Sequence, residues 1–309
     1  MMNQPHVTII VPTYNRASLV ANAVDSALSQ DYEALDVIVV DDGSTDHTGA
    51  VLSRYTDEAR VTIIRRPQNG GVTAAKNTGL EAIPTTTTYV GILDSDDTLE
   101  TDAVRSLVHG FDKVGQPLSQ VFGWCRDPKT GEDTGAMVHR EGLIRFEDAA
   151  CGRFHGEFWQ LIRAELVRDQ RFDERCGGQE AMIWWPLMRH QPAYLIDKVV
   201  RQYDRSGTDR VSLLAFEAHG ARRKMWSNLV MLERVGADML QLCPERYAFF
   251  ALEAAKWAAL AGERHAARSA LRKAWHTHRS WRVLRVAALA ALPPALARAA
   301  YRWRYSTSQ

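Results

Sequence analysis

Four short apolar runs in the first hundred residues alternate with stretches of helical periodicity: VTIIV (Val7–Val11), DVIVV (Asp36–Val40), VTII (Val61–Ile64) and YVGIL (Tyr89–Leu93). No other feature constrains the fold as strongly. The runs are apolar throughout rather than alternating, so each predicted strand is buried on both faces, as in a mainly parallel sheet covered by helices. Between the first two runs, Leu19, Val20, Ala23, Val24, Ala27 and Leu28 fall on one helical stripe. GGVTAAKNTGLEAI supplies another helical segment before the fourth run.

Ligands of open α/β sheets bind outside the carboxyl ends of the strands. Here those ends read PTYNR, DDGST and DSDD, which brings Tyr14, Asp41, Asp42, Asp94, Asp96 and Asp97 to one rim. Carboxylates gathered so closely repel unless something positive lies among them. Asp97 is suited to cap a helix predicted to begin near Leu99, and that leaves Asp94 and Asp96 over. Oxygen donors suit Mg²⁺ or Mn²⁺, so the cluster points to a divalent ion bridging to an anionic ligand. The chain has neither G-x-G-x-x-G after its first strand nor G-x-x-x-x-G-K-[ST], which argues against a dinucleotide fold and a P-loop. Diphosphate charge would then fall to the ion and to cations such as Arg16 and Lys76. Asp41 and Asp42 are left to accept hydrogen bonds from a nucleobase or ribose.

These motifs, in this order and spacing, resemble the nucleotide-sugar half of glycosyltransferase family 2, over about the first 110 residues. The resemblance implies a GT-A fold and an inverting, metal-dependent transferase that uses nucleotide-diphosphate sugars. It implies that Pro12, Tyr14 and Asp41 line the base pocket with Asp42 close by. Asp94-Ser95-Asp96 becomes the D-x-D signature, with Asp94 and Ser95 towards the nucleotide sugar. Asp96 goes to the metal, and Asp97 shares that role if the aspartate run slips by one. Further on, FWQLIRAELVRDQRFDERCGGQEAMIWWPLMRH resembles the acceptor segment, in which a Glu-Asp pair supplies the general base. This chain has Gln179-Glu180 there, so Glu180 takes the base position, and Pro186 falls where the family often has an arginine. A loop resembling the family's closing YR-x-H has Ser206 in place of the histidine.

The chemistry needs such a base because a sugar hydroxyl is a poor nucleophile until its proton is removed. A non-catalytic nucleotide-sugar-binding subunit stands as the alternative. A nucleotidyltransferase ranks below both, because the glycine-rich, basic first loop of such enzymes is missing after Val11. His155, Trp159, Trp184 and Trp185 are open to either an acceptor-site or a core role.

Charge is uneven along the chain. Of 38 basic residues ten follow Glu263, where there is no acid, leaving 28 against 37 in residues 1–263. The segment SWRVLRVAALAALPPALARAAYRWRYS carries much of this excess, and its apolar stretch is shorter than the ~20 residues of a spanning helix. Arginines interleaved with an apolar face, flanked by Trp281, Tyr301 and Trp303, suit an interfacial segment on the inner face of a membrane. They suit nucleic acid poorly. Docking of this segment on the protein's own core is the other reading.

Cys125, Cys151, Cys176 and Cys243 are far apart in sequence and suggest neither a zinc site nor a disulfide framework. No secretory signal is evident in MMNQPHVTII. The expectation is a cytoplasmic protein, peripheral at the membrane, that acts on a glycan or lipid-linked acceptor. Residues 1–212 would form the GT-A domain, divided near residue 110 into nucleotide-sugar and acceptor halves. Residues 213–309 would form an all-α appendage built from an αα-hairpin and a basic amphipathic tail.

Overall fold

The computed structural model describes residues 4–177, 180–203 and 218–306. Gln179, Ser206 and the expected boundary at residue 212 lie outside the described residues. The chain divides into two compact units.

The first unit is a sheet flanked by helices. Strand β1 (Val7–Thr13) lies parallel between β2 (Leu35–Asp41) and β4 (Tyr89–Ile92), and β3 (Val61–Arg65) extends the parallel set beyond β2. Their register sets Thr13 opposite Asp41 and Ile10 opposite both Ile38 and Ile92, so β1 and β2 finish together and β4 ends beside them, opposite Ile10. Helices α1 (Val20–Leu28), α2 (Thr48–Leu52) and α3 (Val72–Glu81) make the crossovers. Val20, Ala23, Val24 and Ala27 of α1 join Val7, Ile9, Val11, Val37 and Val39 in one fully buried cluster. Each large aliphatic side chain there contributes about 1.5–3 kcal/mol by leaving water.

Beyond β4 the sheet becomes mixed. The chain continues through β5 (Thr98–Leu99), α4 (Ala103–Gly110), β6 (Gln120–Arg126), β7 (Gly135–Ala136), β8 (Gly142–Ile144), α5 (Phe146–Ala150), β9 (His155–Gly156), β10 (Phe158–Arg163), α6 (Ala181–Leu187) and β11 (Ala193–Gln202). The order is β3-β2-β1-β4-β10-β6-β11-β5, with β8 on β11 and a separate β7-β9 pair. Strand β10 runs antiparallel to β4 and β6, while β11 is parallel to β6 and antiparallel to β5. The helix expected near Leu99 begins later, at Ala103. Thr98 and Leu99 instead pair with Gln202 and Arg201, so Asp97 caps nothing and precedes a strand.

Trp159 fixes the end of β4. A Cβ on Gly91 would meet its ring at 2.8 Å, so only glycine lets the strand pass beneath the indole. The indole N–H donates to the Ile92 carbonyl at 2.7 Å. Leu93 is wholly buried just past this clamp, and Asp94 follows it out of the sheet. Trp159 and Trp184 are core residues.

The second unit gathers Ala150–Gly152, Asp173–Met182 and five helices. These are α7 (Ala218–Leu242), α8 (Pro244–Ala261), α9 (Arg264–Thr277), α10 (Trp281–Ala291) and α11 (Pro294–Ser306). Ala251, Ala254, Ala255 and Ala258 of α8 are fully buried, and such small side chains let helix backbones approach closely. Gly262 ends α8 at φ 84°, a left-handed conformation that a side chain would disfavour. The expected αα-hairpin is thus part of a larger helical array.

The absence of a disulfide framework is corrected within this unit. Cys151 and Cys243 are bonded across 92 residues of sequence, a pairing no short spacing motif could reveal. Among the described residues no helix is long and apolar enough to cross a membrane.

Candidate active site

The first two strand ends are tied together by short polar side chains. The Asp42 N–H donates to the Thr13 carbonyl at 2.9 Å, extending the β1–β2 pairing past the sheet. Asn15 adopts φ 50°, a left-handed conformation that asparagine tolerates better than most residues. There its side-chain oxygen accepts the Thr45 N–H at 2.8 Å, while its own N–H donates to Ser44 Oγ at 2.9 Å. The Arg16 N–H donates to Thr48 Oγ1 at 2.9 Å. Gly43 sits at φ 73°, and a Cβ there would lie 2.9 Å from the Gln68 backbone.

Asp41 and Asp42 are each 1% exposed but differ in employment. Asp41 Oδ1 accepts the Ser44 N–H at 2.9 Å, and Oδ2 lies 3.8 Å from Arg65 Nε. It borders a cavity of about 370 Å³ shared with Leu52, Tyr55, Ile63 and Arg65. Asp42 turns to the loop before α3, where Gly71 N–H donates to it at 2.7 Å and Gly70 N–H at 3.1 Å, and it pairs with Arg66. Both of its oxygens are engaged in building that loop. The resemblance places Asp42 near the nucleotide; its partners in the fold are the N–H groups of Gly70 and Gly71 and the Arg66 guanidinium.

The DSDD turn meets three basic side chains. Lys76, 3% exposed on α3, reaches Asp94 at 2.9 Å. Arg16 lies 3.7 Å from Asp96. Asp97 is 2% exposed and faces Arg201 of β11, whose Nη1 is 3.1 Å from its carboxylate. Arg201 also reaches Glu157 at 3.3 Å and Cys125 Sγ at 3.1 Å, and it lies over the Tyr203 ring.

The turn's electrostatics differ from one aspartate to the next. Burial works against the charge of Asp94, but Lys76 first, then Arg201 and Arg16, hold its carboxyl below the usual range. Burial pushes Asp97 up to about 8. Arg201 opposes that rise, while Asp94, Asp96 and Glu157 add to it.

Pro12 is buried at the end of β1, Tyr14 is exposed beyond it, and Ser95 is buried within the turn. One rim therefore carries Tyr14, Arg16, Asp41, Lys76, Asp94 and Asp96. Glu180 stands immediately before α6, in the segment that groups with the helical unit. His155 is exposed on β9. Arg66 and Arg201 were not anticipated. Each is far from its aspartate in sequence and carries no motif.

The donor set suits a hard divalent cation. Among the described residues no three Asp, Glu, His or Cys side chains converge closely enough to cage an ion. Asp94 and Asp96 nevertheless offer part-exposed carboxylates two residues apart. Mg²⁺-type ions are commonly held by one or two carboxylates together with substrate phosphates.

A parallel half-sheet with polar strand ends, continued by a mixed half, is the architecture of GT-A glycosyltransferases, and solved structures bear this out. S. aureus TarS superimposes with a TM-score of 0.63 at 15% identity over 89% of each chain. The mannosyltransferase PcManGT from Pyrobaculum calidifontis, solved with GDP-Man and Mn²⁺, gives 0.55 at 22% identity, covering 95% of this chain and 82% of its own. The family model "Glycosyl transferase family 2" matches residues 8–163. The chain belongs to glycosyl transferase family 2. Among curated proteins it is 32% identical over 215 residues to a GalNAc(5)-diNAcBac-PP-undecaprenol β-1,3-glucosyltransferase of Campylobacter jejuni, covering 68% of each chain.

Proposed function

We propose that the protein is an inverting, metal-dependent transferase that moves a sugar from a nucleotide diphosphate to a hydroxyl of a lipid-linked or cell-envelope glycan. The observation that carries this reading is the meeting of Asp94 and Asp96 with Lys76 and Arg16 at one sheet rim. The name of the C. jejuni relative supports the acceptor class.

In this reading the acceptor hydroxyl attacks the anomeric carbon as its bond to the diphosphate breaks. Glu180 takes the hydroxyl proton, and the acceptor approaches the face opposite the leaving group, so the configuration inverts. Asp94 and Asp96 would hold Mg²⁺ or Mn²⁺; such an ion, when bound, neutralises charge developing on the departing diphosphate. Arg16 and Lys76 add positive charge beside those carboxylates, and Asp41 with Tyr14 receives the nucleoside. Asp97 faces Arg201 instead of solvent, which leaves the ion to Asp94 and Asp96. The basic tail attaches the protein peripherally to the inner face of a membrane.

Thermal melts with UDP, GDP, dTDP and CDP, with and without Mn²⁺, test the donor half. Ligand at about a hundred times Kd adds roughly 2.7 kcal/mol to the folded state. One nucleotide should raise Tm only with metal, and less in Asp96→Asn. No shift with any of them would overturn the reading. Glu180→Gln should keep that shift and lose turnover; a variant with undiminished turnover would remove Glu180 from the base role.

A further inference from the structure

Helices α10 and α11 leave a specific surface open. Of α10 only Val283 is buried, whereas Trp281 and Leu284 are each 59% exposed. Between α8, α10 and α11 runs a groove of about 490 Å³, within the roughly 300–1,000 Å³ range of small-ligand sites. Leu252, Val286, Leu289 and Tyr301 line it, and Arg282 and Arg285 stand along it. Lys256, also in the lining, is neutralised by Glu253 at 2.6 Å. Arg285 lies over the Trp281 ring at 4.7 Å. Neither Arg282 nor Arg285 has a carboxylate partner among the described residues, and the chain has no acid after Glu263.

We propose that this groove receives the hydrocarbon chain of a phosphate-headed membrane lipid, with Arg282 and Arg285 on the phosphate. The two halves of the site call for different chemistry. An aliphatic and aromatic lining gains by covering apolar surface, and two arginines without acids call for an anion. A free phosphate would leave the lining wet, and a neutral chain would leave the arginines unanswered. One amphiphile satisfies both. The inference deepens the membrane attachment proposed above and is independent of the transfer chemistry.

Calorimetry on the full chain tests it with a short-chain phosphatidylglycerol kept below its micelle concentration. Saturable one-to-one binding is expected, weakened at least about tenfold in R282E/R285E, since each cation near an anionic headgroup contributes about a factor of five. Glycerophosphoglycerol, the headgroup alone, should not bind comparably. Both arginines are exposed, so an unchanged melting curve for the double variant shows that any loss is not unfolding. No binding, equal binding by the variant, or equal binding of the headgroup overturns the groove. So does a wild-type dimer by light scattering that the double variant dissociates, because a second copy would then be the occupant. Flotation with anionic vesicles separates the two claims. Vesicle binding without monomer binding sinks the groove and leaves attachment standing, whereas absence of both sinks both.

Discussion

Arg201 Nη1 lies 3.1 Å from the Asp97 carboxylate, and neither side chain has appreciable contact with water. The pair joins the turn after β4 to β11 beneath the two aspartates that face outward. Removing Arg201 would strand the buried Asp97 carboxyl, a loss of order 3–5 kcal/mol for buried pairs, whereas a guanidinium that lost Asp97 would keep Glu157 at 3.3 Å.

Stability should therefore fall as pH rises. Burial pushes Asp97 up to about 8, whereas an aspartate in the unfolded chain titrates near 3.9. Between those values the folded state holds a proton that the unfolded state has released. The contribution is complete below about pH 4 and is lost as pH climbs towards 8, at no more than about 1.4 kcal/mol per pH unit. Urea unfolding in EDTA at pH 5, 6.5 and 8 measures the slope. Asp97→Asn, which cannot titrate, should flatten it, and parallel slopes for the two proteins would refute the assignment.

Asp42→Ala should destabilise the fold by about 3 kcal/mol, because Gly70 N–H, Gly71 N–H and Arg66 lose their acceptor together. Asp41→Asn should cost less than half of that, since an amide oxygen can still accept from Ser44, yet it should weaken nucleotide binding. Urea melts and nucleotide titrations on both variants check the contrast. Equal destabilisation would mean that the two aspartates are not divided between scaffold and ligand.

This division shows where the sequence stops being readable. The strand ends were legible because burial on both faces leaves continuous apolar runs, and the polar residues that end them mark the rim. Asp41 is the last residue of β2 and Asp42 the first beyond it, so the two look alike in sequence while one borders a cavity and the other builds a loop. Arg201 lies 104 positions after Asp97, and its approach depends on β11 pairing with a two-residue strand that periodicity read as the start of a helix. The link between Cys151 and Cys243 was hidden for the same reason: only the folded helical unit brings them together.

Reducing that disulfide should lower stability markedly. The bond closes a loop of 92 residues, and the chain-entropy relation gives about 4–5 kcal/mol for a loop of that length. Cys243→Ser should melt lower than wild type, and dithiothreitol should lower the wild type to match while leaving the variant unmoved. A wild-type melt that ignores dithiothreitol would show that the bond does not contribute in solution.

Lys76→Met should separate the electrostatic role of the α3 lysine from a packing role. Lys76 is the foremost cation holding Asp94 ionised, and its Nζ lies 2.9 Å from that carboxylate. Methionine keeps most of the volume and removes the charge, so Asp94 is left with Arg201 and Arg16 against burial and its carboxyl pKa rises. The acid limb of the pH–activity profile should move upward. Loss of one charge-assisted contact, about 1.5–3 kcal/mol, should weaken donor binding roughly ten- to a hundredfold at neutral pH. Lys76→Arg should restore part of the acid limb even where it fits less well, because it returns the charge. If the methionine variant lost affinity with its acid limb unmoved, Lys76 would be a packing residue and the ionisation of Asp94 would rest on Arg201 and Arg16.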